Sequence, residues 1–347
     1  MAAVLPQRAI LGGRLIPPER VVSATGVPTF GTWTAPLREV GLRRAAVPGW
    51  PGPLGRLRLK QWEHWLVVCP THAITFAVVD AAFTRLVWVQ VIDRASGQRT
   101  EHRREGPLVS ASLTDALFDG HSRGRSGTVS LEIHNHLAAG GHRVGCQAKT
   151  SGKPDVTLDL WAACPLPETE PLVVVHPVGR DQAMYSHKVP LPVAGTLSIG
   201  GIVHAIDAAT ATAVLDVHKA HYPRDTWWNW ATAAGFDARG RRIAFNLTAN
   251  VVAGDLHENA AWVDGRVALL GPGARFTLAD DPWTAESPSA KLSFTGLGDR
   301  SENLDYRVVQ SRFRQRYGTF AGELRLGSET IAVEDWFGLM EDHRARW

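Results

Sequence analysis

Short runs rich in Val, Ile, Leu, Trp and Thr, bounded by Gly, Pro, Asp and Asn, recur about every ten residues along the chain. "HWLVVCP", "AITFAVVD", "RLVWVQVIDR" and "GTVSLEIHNHL" carry this pattern before residue 165, and "GTLSIGGIVHAID", "TATAVLDVHKA", "RRIAFNLTANVV" and "AKLSFTG" repeat it afterwards. Long segments with an apolar residue every three or four positions are nearly absent. The pattern predicts an all-β chain of antiparallel sandwiches or barrels. One short helix is expected in "SLTDALFDG", where Ser112 or Thr114 offers a cap. Residues 1–55, rich in Pro, Gly and Arg, read as an irregular N-terminal wrap.

A length of 347 residues exceeds what one core usually serves, so two units are expected. "CPLPETEPLVVVHPVGR" (164–180), with its prolines and glutamates, reads as the linker between them. The division is drawn as 1–175 for the wrap and first barrel and 176–347 for the second.

"DTWWNWATAAGFDARGRRIAFNLTANVV" (225–252) concentrates Trp227, Trp228 and Trp230 around Asn229, followed by Asn246, Thr248 and Asn250. "FDARGRR" has the composition of a hairpin loop. A two-residue loop at Ala238–Arg239 would pair Asn229 with Thr248 and Trp227 with Asn250. Trp227, Asn229, Asn246, Thr248 and Asn250 would then share a face, with Ile243, Phe245, Leu247 and Val251 on the other. A register shifted by one residue places Trp228 and Trp230 beside the asparagines instead. In either register indoles and amides line one surface, which suggests the inner wall of a barrel: apolar walls for a ligand, amides to orient its polar group.

Ionisable groups lie close by in sequence. "LDVHKAHYPRD" presents Asp216 and His218 on one strand face, with His221 and Tyr222 beyond. Glu258 and Asn259 in "HENAAWVDGR" precede a strand, where a rim carboxylate facing indoles would have a raised pKa. The tail "VEDWFGLMEDHRARW" sets His343 beside Asp342, and "LKQWEHW" joins Trp62, Glu63, His64 and Trp65. Asp216, His218, Glu258 and His343 are the candidate proton donors and acceptors. Trp227, Trp228, Asn229, Trp230, Asn246, Asn250 and Asn259 are the candidate ligand contacts. "EIHNH" places His134 and His136 on one face without marking a third ligand, so no metal centre is expected.

The formal net charge of +3 comes without a basic block or arm, which argues against nucleic acid. Cys69, Cys146 and Cys164 match neither a disulfide nor a zinc framework and read as buried thiols. Dinucleotide, Walker and HExxH motifs are absent. No leader or membrane-spanning window is recognised, and the chain is expected in the cytoplasm.

"QWEHWLVV", "YSHK" at 185–188, "WWNWATAAG" followed by "IAFNLT", "ENAAWVDGR" and "EDHRARW" together resemble a bacterial domain-of-unknown-function family over residues 30–347. The layout also resembles tandem lipocalin-like proteins: carotenoid hydratases, tocopherol cyclases and fungal Diels–Alderases. That resemblance implies two lipocalin-like (calycin) antiparallel barrels with few short helices and a pocket in or between them. It also implies chemistry without a redox cofactor: hydration, cyclisation or isomerisation of an apolar, isoprenoid-like small molecule. A carrier of a hydrophobic small molecule, or a purely structural protein, remains open beside that enzyme.

Overall fold

In the computed structural model, which describes residues 16–45, 55, 57–179, 182–252, 254–305 and 310–346, two curled antiparallel sheets make two tandem barrels. No α-helix occurs among the described residues, although a 3-10 turn covers Leu137–Ala139. Of the expected N-terminal wrap, 1–15 and 46–54 lie outside the described residues. The rest packs against the first barrel: Gly31–Trp33 pairs with Leu172–Gly179, while Val21, Leu37, Val40 and Leu42 are buried.

The helix expected at Ser112–Gly120 does not form. Its polar groups are taken elsewhere: the Thr114 hydroxyl and the Ala116 backbone close a local turn, and the Asp115 carboxylate receives Lys219 Nζ at 2.8 Å. A short Ser/Thr turn that satisfies its own backbone competes with the first helical hydrogen bonds.

In the first sheet the strands run Arg99–Glu105, Arg85–Asp93, His72–Asp80, Lys60–Val68, Thr212–Ala220, Gln182–Ile199, Val156–Ala163, Gly141–Ala148, Val129–His136, Gly120–Ser126, Ser110–Ser112. The sheet rolls until its ends meet. A Cβ on Gly124 would stand 2.8 Å from Val87 on the opposite wall, so only glycine lets the walls close there. The second sheet runs Arg266–Leu269, Ala260–Val263, Arg242–Ala249, Asp225–Phe236, Glu329–Arg346, Gln310–Leu326, Ala290–Asp305, Trp283–Ser287, Arg275–Thr277.

The change of sheet falls between Ala220 and Asp225. The proline-rich 164–180 segment does not separate the sheets, because Leu172–Gly179 and the strands that follow it hydrogen-bond within the first. Prolines at 177, 190 and 192 are tolerated in the paired strands, so a Pro count alone misreads this stretch as a linker.

Both barrel interiors are filled. Trp65, Phe76, Val89, Leu131, Tyr185 and Leu215 belong to the first core, and Phe245, Phe294, Phe320 and Met340 to the second. A third apolar cluster, with Leu66, Val214, Trp228, Trp230, Trp262 and Phe337, joins the barrels. Strands at this junction are buried on both faces. In Lys60–Val68, Glu63, Trp65 and Val67 face the first barrel's interior while Trp62, His64 and Leu66 face the second unit. All three cysteines are buried and free.

Candidate active site between the barrels

The hairpin at 225–249 adopts the second of the two registers: Trp230 pairs with Thr248, Thr232 with Asn246 and Asn229 with Ala249. Its loop is three residues long. The Asp237 carboxylate accepts from the backbone N–H groups of Arg239 and Arg241, and Gly240 takes a left-handed φ of 75°. Trp228 and Trp230 therefore share a face with Asn246 and Thr248. Ala231, Ala233, Phe245 and Leu247 turn into the second barrel's core.

That indole face does not look into a barrel, as the sequence suggested. It looks across the junction, onto the outer face of the first sheet. A cavity of about 660 Å³ lies there, lined among others by Trp62, His64, Trp88, Lys188, Asp216, His218, Tyr222, Trp228, Trp230, Glu258, Arg300, Gln315, Glu341 and His343.

Cross-strand pairing assembles the lining. On the first sheet one row runs Ser186–His218–Trp62 and the next runs Lys188–Asp216–His64. On the second, one row runs Trp228–His343–Phe313 and the next Trp230–Glu341–Gln315. Side chains in one row share a face, so four rows from distant parts of the sequence meet across one space. Trp62 stacks on His218 at 4.3 Å and on Trp228 at 6.0 Å, with Tyr222 5.8 Å from Trp228.

Within these walls one ammonium serves several carboxyls. Lys188 Nζ lies 2.7 Å from Asp216 Oδ2, both side chains buried. Burial disfavours the charge on Lys188, but Asp216, Glu258 and Glu341 outweigh it and raise its pKa above the usual lysine value. Burial likewise pushes the Asp216 carboxyl up, against the pull of Lys188. Burial would raise Glu258 too, yet Lys188 and a hydrogen bond from Ser186 hold it below the ordinary glutamate range. Glu341 accepts from Trp228 Nε1 at 2.8 Å and Gln315 Nε2 at 2.9 Å, but burial dominates and carries its pKa to about 7. Glu258 and Glu341 are thus pushed in opposite directions, the arrangement that separates a base from an acid. Asp216 Oδ1, Glu258 Oε1 and His64 Nε2 are buried without a hydrogen-bond partner and belong to cavity-lining residues. Buried oxygens of this kind are costly unless something polar reaches them.

Burial takes His218, His343 and His64 down to about 3, so all three are neutral near pH 7. As neutral imidazoles they keep one N–H donor and one acceptor nitrogen each but are not cationic acids at that pH. Tyr222 Oη lies 2.6 Å from His218 Nε2, and Ser311 Oγ 2.9 Å from His343 Nε2.

Of the residues singled out in the sequence, Asp216, His218, Glu258, His343, Trp228 and Trp230 line the cavity. Trp227 does not. It is 46% exposed, on the opposite face, with the Arg344 guanidinium 5.6 Å from its ring. Asn229 also turns away, donating to Asp342 and accepting from Asn250, which is itself exposed. Asn246 and Asn259 sit behind the wall. Asn246 Oδ1 accepts from Trp230 Nε1 at 2.7 Å and its amide donates to the Glu258 carbonyl, while Asn259 Oδ1 receives the Thr248 N–H at 2.8 Å. These amides fix the orientation of Trp230 and of the Glu258 loop. The sequence reading missed Lys188, Glu341, Gln315 and Arg300 as site residues. Its signal for the first two was available: each is a charge in the middle of an apolar strand, "MYSHKVPLPV" and "FGLMEDH".

The raised pKa of Glu341 has a measurable consequence for stability. A carboxyl that titrates near 4.5 unfolded and near 7 folded binds its proton more tightly in the native state. Its contribution is complete below about pH 4.5, declines through about pH 7 and is constant above. Urea unfolding across this range should show the wild type losing stability relative to Glu341→Gln as pH rises, by a few kcal/mol in all. A difference that stays flat from pH 4 to 8 would show that Glu341 titrates normally.

The fold and this inter-barrel cleft define a tandem lipocalin-like double barrel. The chain belongs to the domain-of-unknown-function family DUF2804, whose model matches residues 14–347. No curated protein matches it in sequence. Among solved structures it is similar to CghA, at 12% identity and a TM-score of 0.52 over 82% of this chain and 87% of that one. CghA with Sch210972 gives 11% identity and a TM-score of 0.51, over 82% and 87%. Kievitone hydratase from Nectria haematococca is similar at 11% identity, with a TM-score of 0.45, over 82% and 88%. No helix among the described residues is long and apolar enough to cross a membrane.

Proposed function

We propose that the protein is a cofactor-independent acid–base enzyme acting on a largely apolar small molecule held between the barrels. The carrying observation is the set of buried carboxyl groups, with two oxygens unpartnered, on the wall of a tryptophan-lined cavity. A plain carrier of an apolar ligand has no use for charges that cost several kcal/mol each to bury. CghA, which shares the double-barrel fold, is solved with the small molecule Sch210972, which is in keeping with a small-molecule ligand for this protein.

In this reading the ligand's polar end donates hydrogen bonds to Asp216 Oδ1 and Glu258 Oε1, and its apolar body lies along Trp62, Trp228 and Trp230. Glu341, protonated over much of the neutral range, gives a proton to an oxygen or a double bond of the ligand. Glu258, held ionised, takes one up. Positive charge that develops meanwhile faces the indole rings. Hydration, dehydration, isomerisation and proton-initiated cyclisation of an isoprenoid or comparable polycyclic skeleton all fit this sequence of transfers.

Titration with a panel of hydroxylated isoprenoids and polycycles, followed by tryptophan emission, tests the location. Saturable quenching at one equivalent is expected, weakened about tenfold or more in Trp228→Ala and unchanged in Trp227→Ala. Equal sensitivity of the two variants would place binding elsewhere.

A further inference from the structure

The outer wall of the first barrel carries a cluster that none of this chemistry uses. The Val129–His136 strand alternates strictly: Val129, Leu131, Ile133 and Asn135 are buried, while Glu132, His134 and His136 turn outward. Its hairpin partner Gly120–Ser126 turns His121 to the same side, and the register sets His121 directly opposite His134. The two imidazoles stack at 4.2 Å with 12° between their planes. Glu132, one pleat from His134, completes a group whose ligand atoms all lie within 4.8 Å of one another. His121 Nε2 is buried and has no hydrogen-bond partner.

We infer that His121, Glu132 and His134 form a binding site for a divalent transition-metal ion, Zn²⁺ foremost. Two neutral imidazoles and one carboxylate are a zinc ligand set, and tetrahedral bonds of about 2.1 Å would bring the ligand atoms to about 3.4 Å apart. Because imidazole lone pairs lie in the ring plane, the two stacked rings must tilt out of parallel to aim at one ion. The sequence offered His134 and His136 without a third ligand; the hairpin supplies His121 and Glu132 from across the turn and from the same face. His136 stacks on His134 at 5.6 Å, with Asp119 3.4 Å from its Nδ1. The competing contact is Arg125 to Glu132 at 3.6 Å, with both side chains well exposed, and a surface pair of that kind holds its carboxylate weakly. The ion would tie two strands together next to the sheet's short Ser110–Ser112 edge.

Calorimetric titration of chelator-treated protein with ZnCl₂ tests the site. One equivalent should bind, with a rise in melting temperature that follows zinc concentration. His121→Ala and His134→Ala should each weaken binding by about tenfold or more, and Glu132→Gln should also weaken it. His204→Ala, which removes an imidazole from the separate His72–His204 contact, should leave it unchanged. Three results would overturn the inference: no binding of Zn²⁺, binding unaffected by loss of both His121 and His134, or several equivalents as sensitive to His204→Ala as to His134→Ala. These variants lie on an exposed face outside the cavity, and circular dichroism verifies that each one folds.

Discussion

Lys188→Met should lower the unfolding free energy by about 3–5 kcal/mol, the usual cost of leaving a buried charge without its partner. Lys188 is the ammonium that faces Asp216, Glu258 and Glu341, and its own side chain is almost wholly out of water. Methionine matches its length and apolar stem, so packing is largely kept and the loss reports electrostatics. The double variant Lys188→Met/Asp216→Leu should recover a large part of the loss, because it removes the stranded carboxylate as well. Glu258 would still lack its counter-charge, so recovery should be incomplete. Urea unfolding of the three proteins measures both effects. A Lys188→Met variant within about 0.5 kcal/mol of wild type would mean that the cluster is solvated rather than buried.

Glu341→Gln should reduce turnover by about 10²–10⁴-fold, the range lost when a positioned acid is removed. Gln keeps the shape of the side chain beside Trp228 and Gln315 and removes the titrating proton. At neutral pH the same change should leave the fold as stable as wild type or more so, which separates lost chemistry from lost structure. Wild-type turnover should fall as pH rises through about 7, where Glu341 loses its proton. Asp342→Asn is the control: Asp342 is its sequence neighbour but receives Asn229 on the opposite face of the strand. Turnover retained in Glu341→Gln would assign the proton to another group.

Strand alternation and turn chemistry in this chain are local, and they were readable. The all-β class followed from them, whereas the two units were expected from the chain's length and the lipocalin-like barrels from the family resemblance. The hairpin register was narrowed to two possibilities, and the Asp237–Gly240 turn selects the one that sends Trp228 and Trp230, rather than Trp227, to the buried side. Which side that is depends on tertiary packing. Strands such as Thr212–Ala220 are buried on both faces, so polar residues in them mark an interior interface and not solvent. A lone charge in an apolar strand marks Lys188 as it marks Asp216, but that the two face each other shows only in the pairing of their strands. The amides were misjudged for a related reason. Asn246 and Asn259 bond to backbone and indole groups behind the wall, which no local pattern reveals.

The central claim is that the space between the barrels, and neither barrel's interior, takes the small molecule. Native mass spectrometry after incubation with a lipophilic small-molecule extract, comparing wild type with Thr248→Trp, tests it most directly. Thr248 lines the cavity beside Trp230, its cross-strand partner, and an indole there would intrude on the apolar wall that the ligand's body lies along. Wild type should retain one molecule per chain and Thr248→Trp markedly less. Equal retention by both proteins, or no retained mass on wild type, would contradict it.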